Sequence, residues 1–220
     1  MEIWRIPRQS SLLRAVTSAV FGAILLLALV GCLSTPAGQH KSDADNLSRQ
    51  GRLGEAIVRY SEAIRLAPTL TIAYSGRAAV YNALGQYELA IQDADQAISL
   101  EPWVASAYNH KGLAFLQLGQ FRQSQESLDQ AIELDPNLPD AFNNRGLLAL
   151  MTSQVERAVE DLDEAIRLDP KFGLAYANRA RALTLADQDE LAQWDFERAV
   201  ENGMDWESLY AAINDLKRIR

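Results

Sequence analysis

Apolar and small residues recur in this chain with the period of a helix, and the helical runs themselves recur. Tyr108, Gly112 and Phe115 stand at i, i+4 and i+7, and Phe121, Ser124, Leu128 and Ala131 form a second stripe beyond Gly119. Each stripe predicts an amphipathic helix, and the short break between them predicts an antiparallel pair. Pro68, Pro102, Pro136 and Pro170 stand 34 residues apart and close similar runs, AIRLAP, AISLEP, AIELDP and AIRLDP. With proline as position 32 of the unit, position 8 carries Ala44, Ala78, Gly112, Gly146 and Ala180. Position 20 carries Ala56, Ala90, Ser124, Ala158 and Ala192, and position 27 carries Ala63, Ala97, Ala131, Ala165 and Ala199. Small side chains there let two helix axes approach to about 8–10 Å. Gly51, Gly85 and Gly119 at position 15 predict turns with positive φ. Ser153 and Asp187 replace them later, and since Asp tolerates that region better than Ser, the Ser153 turn is where strain or a shifted boundary is expected.

A period of this length, with proline near its end and small residues at these places, resembles the tetratricopeptide repeat family. The resemblance covers five repeats in register, 37–70, 71–104, 105–138, 139–172 and 173–206. It implies an all-α fold, a right-handed superhelix or α-solenoid of five helix-turn-helix repeats over 39–206, each with a helix A and a helix B, after a linker over 32–38. In the last repeat Asn202-Gly203-Met204 replaces proline, and Gly203 is expected to end helix B. Trp206, Leu209, Ile213 and Leu216 then form one apolar seam on a capping helix over 206–220, with Asp205 as its N-cap. An end helix of this kind covers apolar surface that a solenoid would otherwise expose. The polar run HKSDADNLSRQG serves as the opposite cap.

A charge pattern accompanies the repeat. Position 7 is Arg77, Arg145 and Arg179 where position 23 is Asp93, Asp161 and Asp195; the signs are exchanged at Asp43 and Arg59, and Lys111 faces Ser127. These positions should face each other across a helix pair as salt bridges at the core edge, worth about 0–1 kcal/mol each if exposed.

The chain as a whole carries a formal charge of −8, and without residues 1–31 the balance is −10. That argues against a nucleic-acid surface and a polybasic membrane face. The one cysteine, Cys32, excludes an internal disulfide, and His40 and His110 have no partner at ligand spacing.

The chain begins with Arg5, Arg8 and Arg14 ahead of AVTSAVFGAILLLALVG, a basic region followed by an apolar run, which is the pattern of an export signal over 1–31. Leu29-Val30-Gly31-Cys32 resembles a bacterial lipobox, which implies cleavage before Cys32 and a diacylglycerol on its sulfur. Two alternatives fit the same residues: an uncleaved signal anchor, long enough to span a bilayer, and an ordinary cleaved signal. That the sole cysteine falls on the one informative position favours lipidation. The repeats would then face the periplasm or another extracytoplasmic side, held at the cell membrane or the outer membrane. Ser34 to Gln39 reads as a short flexible linker.

In the family, helix A lines a concave groove through positions 2, 5, 6, 9, 12 and 13. Here the resemblance places Asn109, Asn143, Asn144 and Asn178 in that groove with His110, beside Leu113, Leu116, Leu147, Leu150 and Met151. Amides can bond an extended peptide backbone, and leucine and methionine offer adaptable apolar contacts. The alternative is that the leucines pack between helices and the asparagines tie helix A to the preceding helix B. The carboxylate clamp of chaperone-binding members does not carry over, because the basic residues it needs are missing.

Catalysis is not expected. Asp93 and Asp95, like Asp161 and Asp163, point about 200° apart on a helix and cannot share a substrate atom. No phosphate loop, zinc spacing or nucleophile elbow occurs, so neither cofactor nor metal is expected. The expectation is a membrane-anchored scaffold that binds protein or peptide partners and organises cell-envelope enzymes. The alternative is an assembly factor resembling the tetratricopeptide pilotins of pili and secretion complexes.

Overall fold

A computed structural model describes residues 35–219, and every regular element in that range is an α-helix. The chain divides into two compact units, Met1–Pro68 and Thr69–Arg220.

In the first unit, α1 (Pro36–Arg49) and α2 (Leu53–Leu66) form one hairpin. Ala44, Ala56 and Ala63 are fully buried, and the Tyr60 hydroxyl donates to Asp45 Oδ1 at 2.6 Å. Burial raises the pKa of that hydroxyl. Two expectations are corrected here. The expected linker is already helical from Pro36, because Thr35 caps the helix by accepting from the Gly38 amide at 3.1 Å and proline suits the first helical position. The exchanged pair Asp43–Arg59 does not form. Asp43 accepts from Gln39 within its own helix at 3.0 Å, and Arg59 approaches His40 at 3.5 Å.

The second unit holds four hairpins and a last helix. The A helices are α3 (Thr71–Ala83), α5 (Ala105–Gln117), α7 (Pro139–Met151) and α9 (Gly173–Leu185). Their B partners are α4 (Tyr87–Leu100), α6 (Phe121–Leu134), α8 (Val155–Leu168) and α10 (Asp189–Glu201), and α11 (Trp206–Ile219) follows. Gly85 and Gly119 turn at φ 72° and 71°, and Ser153 and Asp187 take the same left-handed conformation at 58° and 57°. The Ser153 boundary is not shifted. The Ser153 amide reaches Leu150 O at 3.1 Å and the Gln154 amide reaches Ala149 O at 2.8 Å, the same closure that Gly85 and Gln86 make.

The hairpins close where small residues meet large ones. A Cβ on Gly112 would lie 2.7 Å from Leu128 Cγ, and one on Gly146 would lie 2.7 Å from Leu162 Cγ. Both leucines are fully buried. Ser124 also donates to Gly112 O at 2.8 Å, fastening α6 to α5. Gly112 and Gly146 thus admit leucine at position 24, whereas Ala180 shares a core cluster with Phe196.

Three expected charge pairs form, and two of them have a second acidic partner. Arg77–Asp93 at 2.7 Å, Arg145–Asp161 at 2.6 Å and Arg179–Asp195 at 2.7 Å each join helix A to helix B of one hairpin. Arg145 also reaches Asp129 of the preceding hairpin at 2.7 Å, Arg179 reaches Asp163 at 2.6 Å, and Lys111 reaches Asp95 at 2.7 Å. Asp93, Asp161 and Asp195 are buried, so these are not the exposed pairs of small worth that the sequence allows for. The acids two apart are divided as helix geometry requires: Asp161 bonds within its hairpin and Asp163 bonds the next one.

In this unit each A helix packs on the next A helix, whereas among the described residues no B helix packs on another B helix. The unit therefore curves toward its A helices, which line the inner face. Leu209 and Ile213 of α11 are buried against Tyr176, Ala177, Ala180 and Phe196, Ser208 N donates to Asp205 Oδ2 at 2.9 Å, and Gly203 ends α10 at φ 93°. The capping seam is buried at its centre, while Trp206 remains half exposed. No described helix is long and apolar enough to cross a membrane; residues 1–31 and Cys32 lie outside the described residues.

Candidate interaction surface

The inner face is built on a ladder of amides. Position 5 of one A helix meets position 6 of the next, so Asn144 Nδ2 donates to Asn109 Oδ1 at 2.9 Å and Asn178 Nδ2 donates to Asn143 Oδ1 at 2.9 Å. Asn143 Nδ2 joins the two rungs through Asn144 Oδ1 at 3.4 Å, and Arg181 Nη1 donates to Asn178 Oδ1 at 3.2 Å. All four asparagines are buried. They tie helix A to the following helix A, a partner outside both readings of the sequence. Unpaired, four buried amides would be costly; paired in this way they fix the register of neighbouring repeats.

His110 stands at the α3 end of this line. Its ring is only partly exposed, and burial pushes its pKa down to about 4, so it is neutral near pH 7. Its carbonyl accepts from Asn82 Nδ2 at 2.8 Å, while Asn82 Oδ1 is buried without a partner. Leu113 and Leu147 are half-buried and pack against Leu116, Leu128 and Leu148. Leu116 is fully buried, whereas Met151 is exposed. Of the groove residues named from sequence, therefore, His110, Leu113, Leu147, Leu150 and Met151 retain open surface, whereas Leu116 and the asparagines are buried.

The face continues beyond those residues. Ile72 and Leu174, at position 2 of α3 and α9, are about half exposed. Leu174, Ala177, Asn178 and Arg181 of α9 line an open hollow of about 320 Å³ with Met204 and with Leu209, Ala212 and Leu216 of α11. Leu174 and Arg181 occupy positions 2 and 9, so the repeat spacing that picked out the other groove residues also reaches them. The hollow itself depends on where α11 lies, which no spacing encodes.

Tetratricopeptide repeat models match residues 110–172 and 72–102. Among solved structures, TTC0263, a thermophilic tetratricopeptide protein of Thermus thermophilus, is 17% identical over 82% of this chain and 98% of its own, with a TM-score of 0.72. YrrB, described as a tetratricopeptide protein with an unusual peptide-binding site, is 21% identical over 79% of this chain and 89% of its own, at 0.53. The pilF protein of Pseudomonas aeruginosa is 17% identical over 83% of each chain, at 0.67. At these identities the likeness concerns the fold. The 34-residue period, the small-residue hairpin contacts and the matching family models agree, and this chain is a tetratricopeptide repeat protein.

Proposed function

We propose that the inner A-helix face binds an extended segment of another protein, and that the chain acts as a membrane-tethered extracytoplasmic adaptor that brings envelope enzymes together. The observation that carries the binding reading is the row of apolar side chains left open over the amide ladder, from Ile72 through Leu113 and Leu147 to Leu174. The ladder beneath is internally bonded, so it provides a rigid floor and needs no ligand to complete it. A stiff, pre-formed face loses little freedom on binding. The described peptide-binding site of YrrB, on the same fold, supports the reading.

A photoreactive residue at Leu147 tests it in living cells. The expected result is a discrete crosslinked protein, identified by mass spectrometry, that is absent when the probe stands at exposed Glu126 on α6. Equal crosslinking from both sites would remove the groove reading. Tethering rests on Cys32 alone and is tested separately. Globomycin should accumulate a larger precursor and Cys32→Ser should abolish the lipidated form; an unchanged band in both would remove the lipid anchor.

A further inference from the structure

The relay of cations and acids stops at the end of the second unit. In α4, α6 and α8 the position-25 acids Asp95, Asp129 and Asp163 each receive a cation from the next A helix, Lys111, Arg145 and Arg179, at 2.6–2.7 Å. Each cation also lies beside a ring: Lys111 is 5.8 Å from Phe115, Arg145 is 5.6 Å from Phe142 and Arg179 is 5.7 Å from Tyr176. The residue in that place on α10 is Glu197. The helix that follows is α11, which carries the buried Ile213 where the inner repeats carry a cation. Among the described residues Glu197 has no cationic partner; it accepts from Gln193 Nε2 at 3.1 Å in its own helix.

α11 packs more closely on α9 than on α10, which it meets through Phe196 and the Lys217–Asp189 pair at 3.5 Å, and this leaves the surface around Glu197 open. Gln193, Phe196, Glu197, Val200, Glu201 and Trp206 line a shallow hollow of about 370 Å³. At its rim Trp206 and Tyr210, each 50% exposed, stack at 4.9 Å and 8°, and both stand edge-on to Phe196 at 6.3 Å. An acid without a cation beside half-exposed aromatic rings offers the acid of the neighbouring hairpin and a ring face, two of the groups that surround Arg145 and Arg179, although their rings stand on their own helices.

We propose that this end face docks a helical segment of a partner protein that presents one arginine or lysine beside apolar residues, with the cation meeting Glu197 and the Trp206–Tyr210 stack. Opposite charge and ring faces favour such a cation together. A second copy of this chain fits poorly. Its net charge is −8, and its first hairpin carries Asp43 where the inner repeats carry a cation. The site is separate from the inner face, so it can hold a different segment at the same time.

The test uses the full chain and a fluorescein-labelled, helix-stapled peptide copying residues 139–151, the helix that delivers Arg145 to the equivalent place one repeat earlier. Saturable binding by fluorescence anisotropy is expected. Arg145→Glu in the peptide, Glu197→Lys in the protein and Tyr210→Ala in the protein should each weaken it about tenfold. Combining the peptide Arg145→Glu with the protein Glu197→Lys should restore it. Unchanged helical dichroism and melting of the exposed-site variants keep the comparison independent of folding. Equal binding of the two peptides, failure of the charge exchange to restore binding, or no saturable binding would overturn the proposal. So would concentration-dependent self-association in sedimentation that Tyr210→Ala abolishes, since the occupant would then be a second copy.

Discussion

At Gly112 and Gly146 the distance from a would-be methyl group to a leucine Cγ is 2.7 Å, below any relaxed carbon contact. Gly112→Ala should therefore push Leu128 off its position and lower the unfolding free energy by about 1–3 kcal/mol in urea titration. At Ser153 the direction reverses. Its φ of 58° costs a residue bearing a Cβ about 1–2 kcal/mol, so Ser153→Gly should raise the melting temperature, with Asp187→Gly gaining less. His110 supplies a pH dependence. The folded ring titrates at about 4 against an ordinary 6.5, so the unfolded chain binds the proton first as pH falls. Stability is complete above pH 6.5 and is lost toward pH 4, and the urea midpoint of the wild type should fall relative to His110→Gln across that window. The glycine and turn positions are legible in the sequence because the repeat places them. The asparagines are legible as a cluster on one face, but an amide bonds a ligand or a neighbour equally well. Which of these Asn144 does depends on position 6 meeting position 5 of the preceding repeat, an inter-repeat offset absent from the spacing.

Among the helices, Arg145 and Arg179 each join three elements rather than two. Arg145 holds Asp161 in its own hairpin and Asp129 in the one before. Asp161→Ala removes a buried carboxylate and leaves a half-buried guanidinium with only its outer partner, which should cost about 3 kcal/mol, whereas Asp129→Ala, at a more exposed acid, should cost about 1 kcal/mol or less. Paired chemical denaturation curves would show the difference. The inner half of this bond is readable from the sign pattern. The outer half is not, because spacing along one helix presents Asp95 and Asp163 only as candidates for chemistry and does not reveal which neighbour they face. At the other extreme, the stretch from Ser34 to Gln39 reads as flexible from its composition, although Thr35-Pro36 is a sound helix start. Deleting residues 205–220 should uncover Tyr176 and Phe196, lower the melting temperature and raise dye binding to apolar surface; neither changing would mean the α11 seam contributes nothing.

For the molecule as a whole, the helical repeat architecture is recoverable because one 34-residue rule is written several times over, and copies average out local ambiguity. The ends are harder, since there the rule is broken: α1 starts early, and α11 lies on one helix of the last hairpin more than on the other. The A-helix face and the Glu197 end face consequently have different origins, the first from repetition and the second from its interruption.

Because Arg145 and Arg179 each grip both their own acid and that of the hairpin before, any hairpin carrying this trio of charges is an interchangeable part. A tandem duplicate of 139–172 spliced in after Phe172 would find Asp163 waiting on one side and offer its own copy of that acid to Arg179 on the other. The chain is thus built to grow by gene duplication without redesign of its seams, with the reach of its inner face lengthening one hairpin at a time.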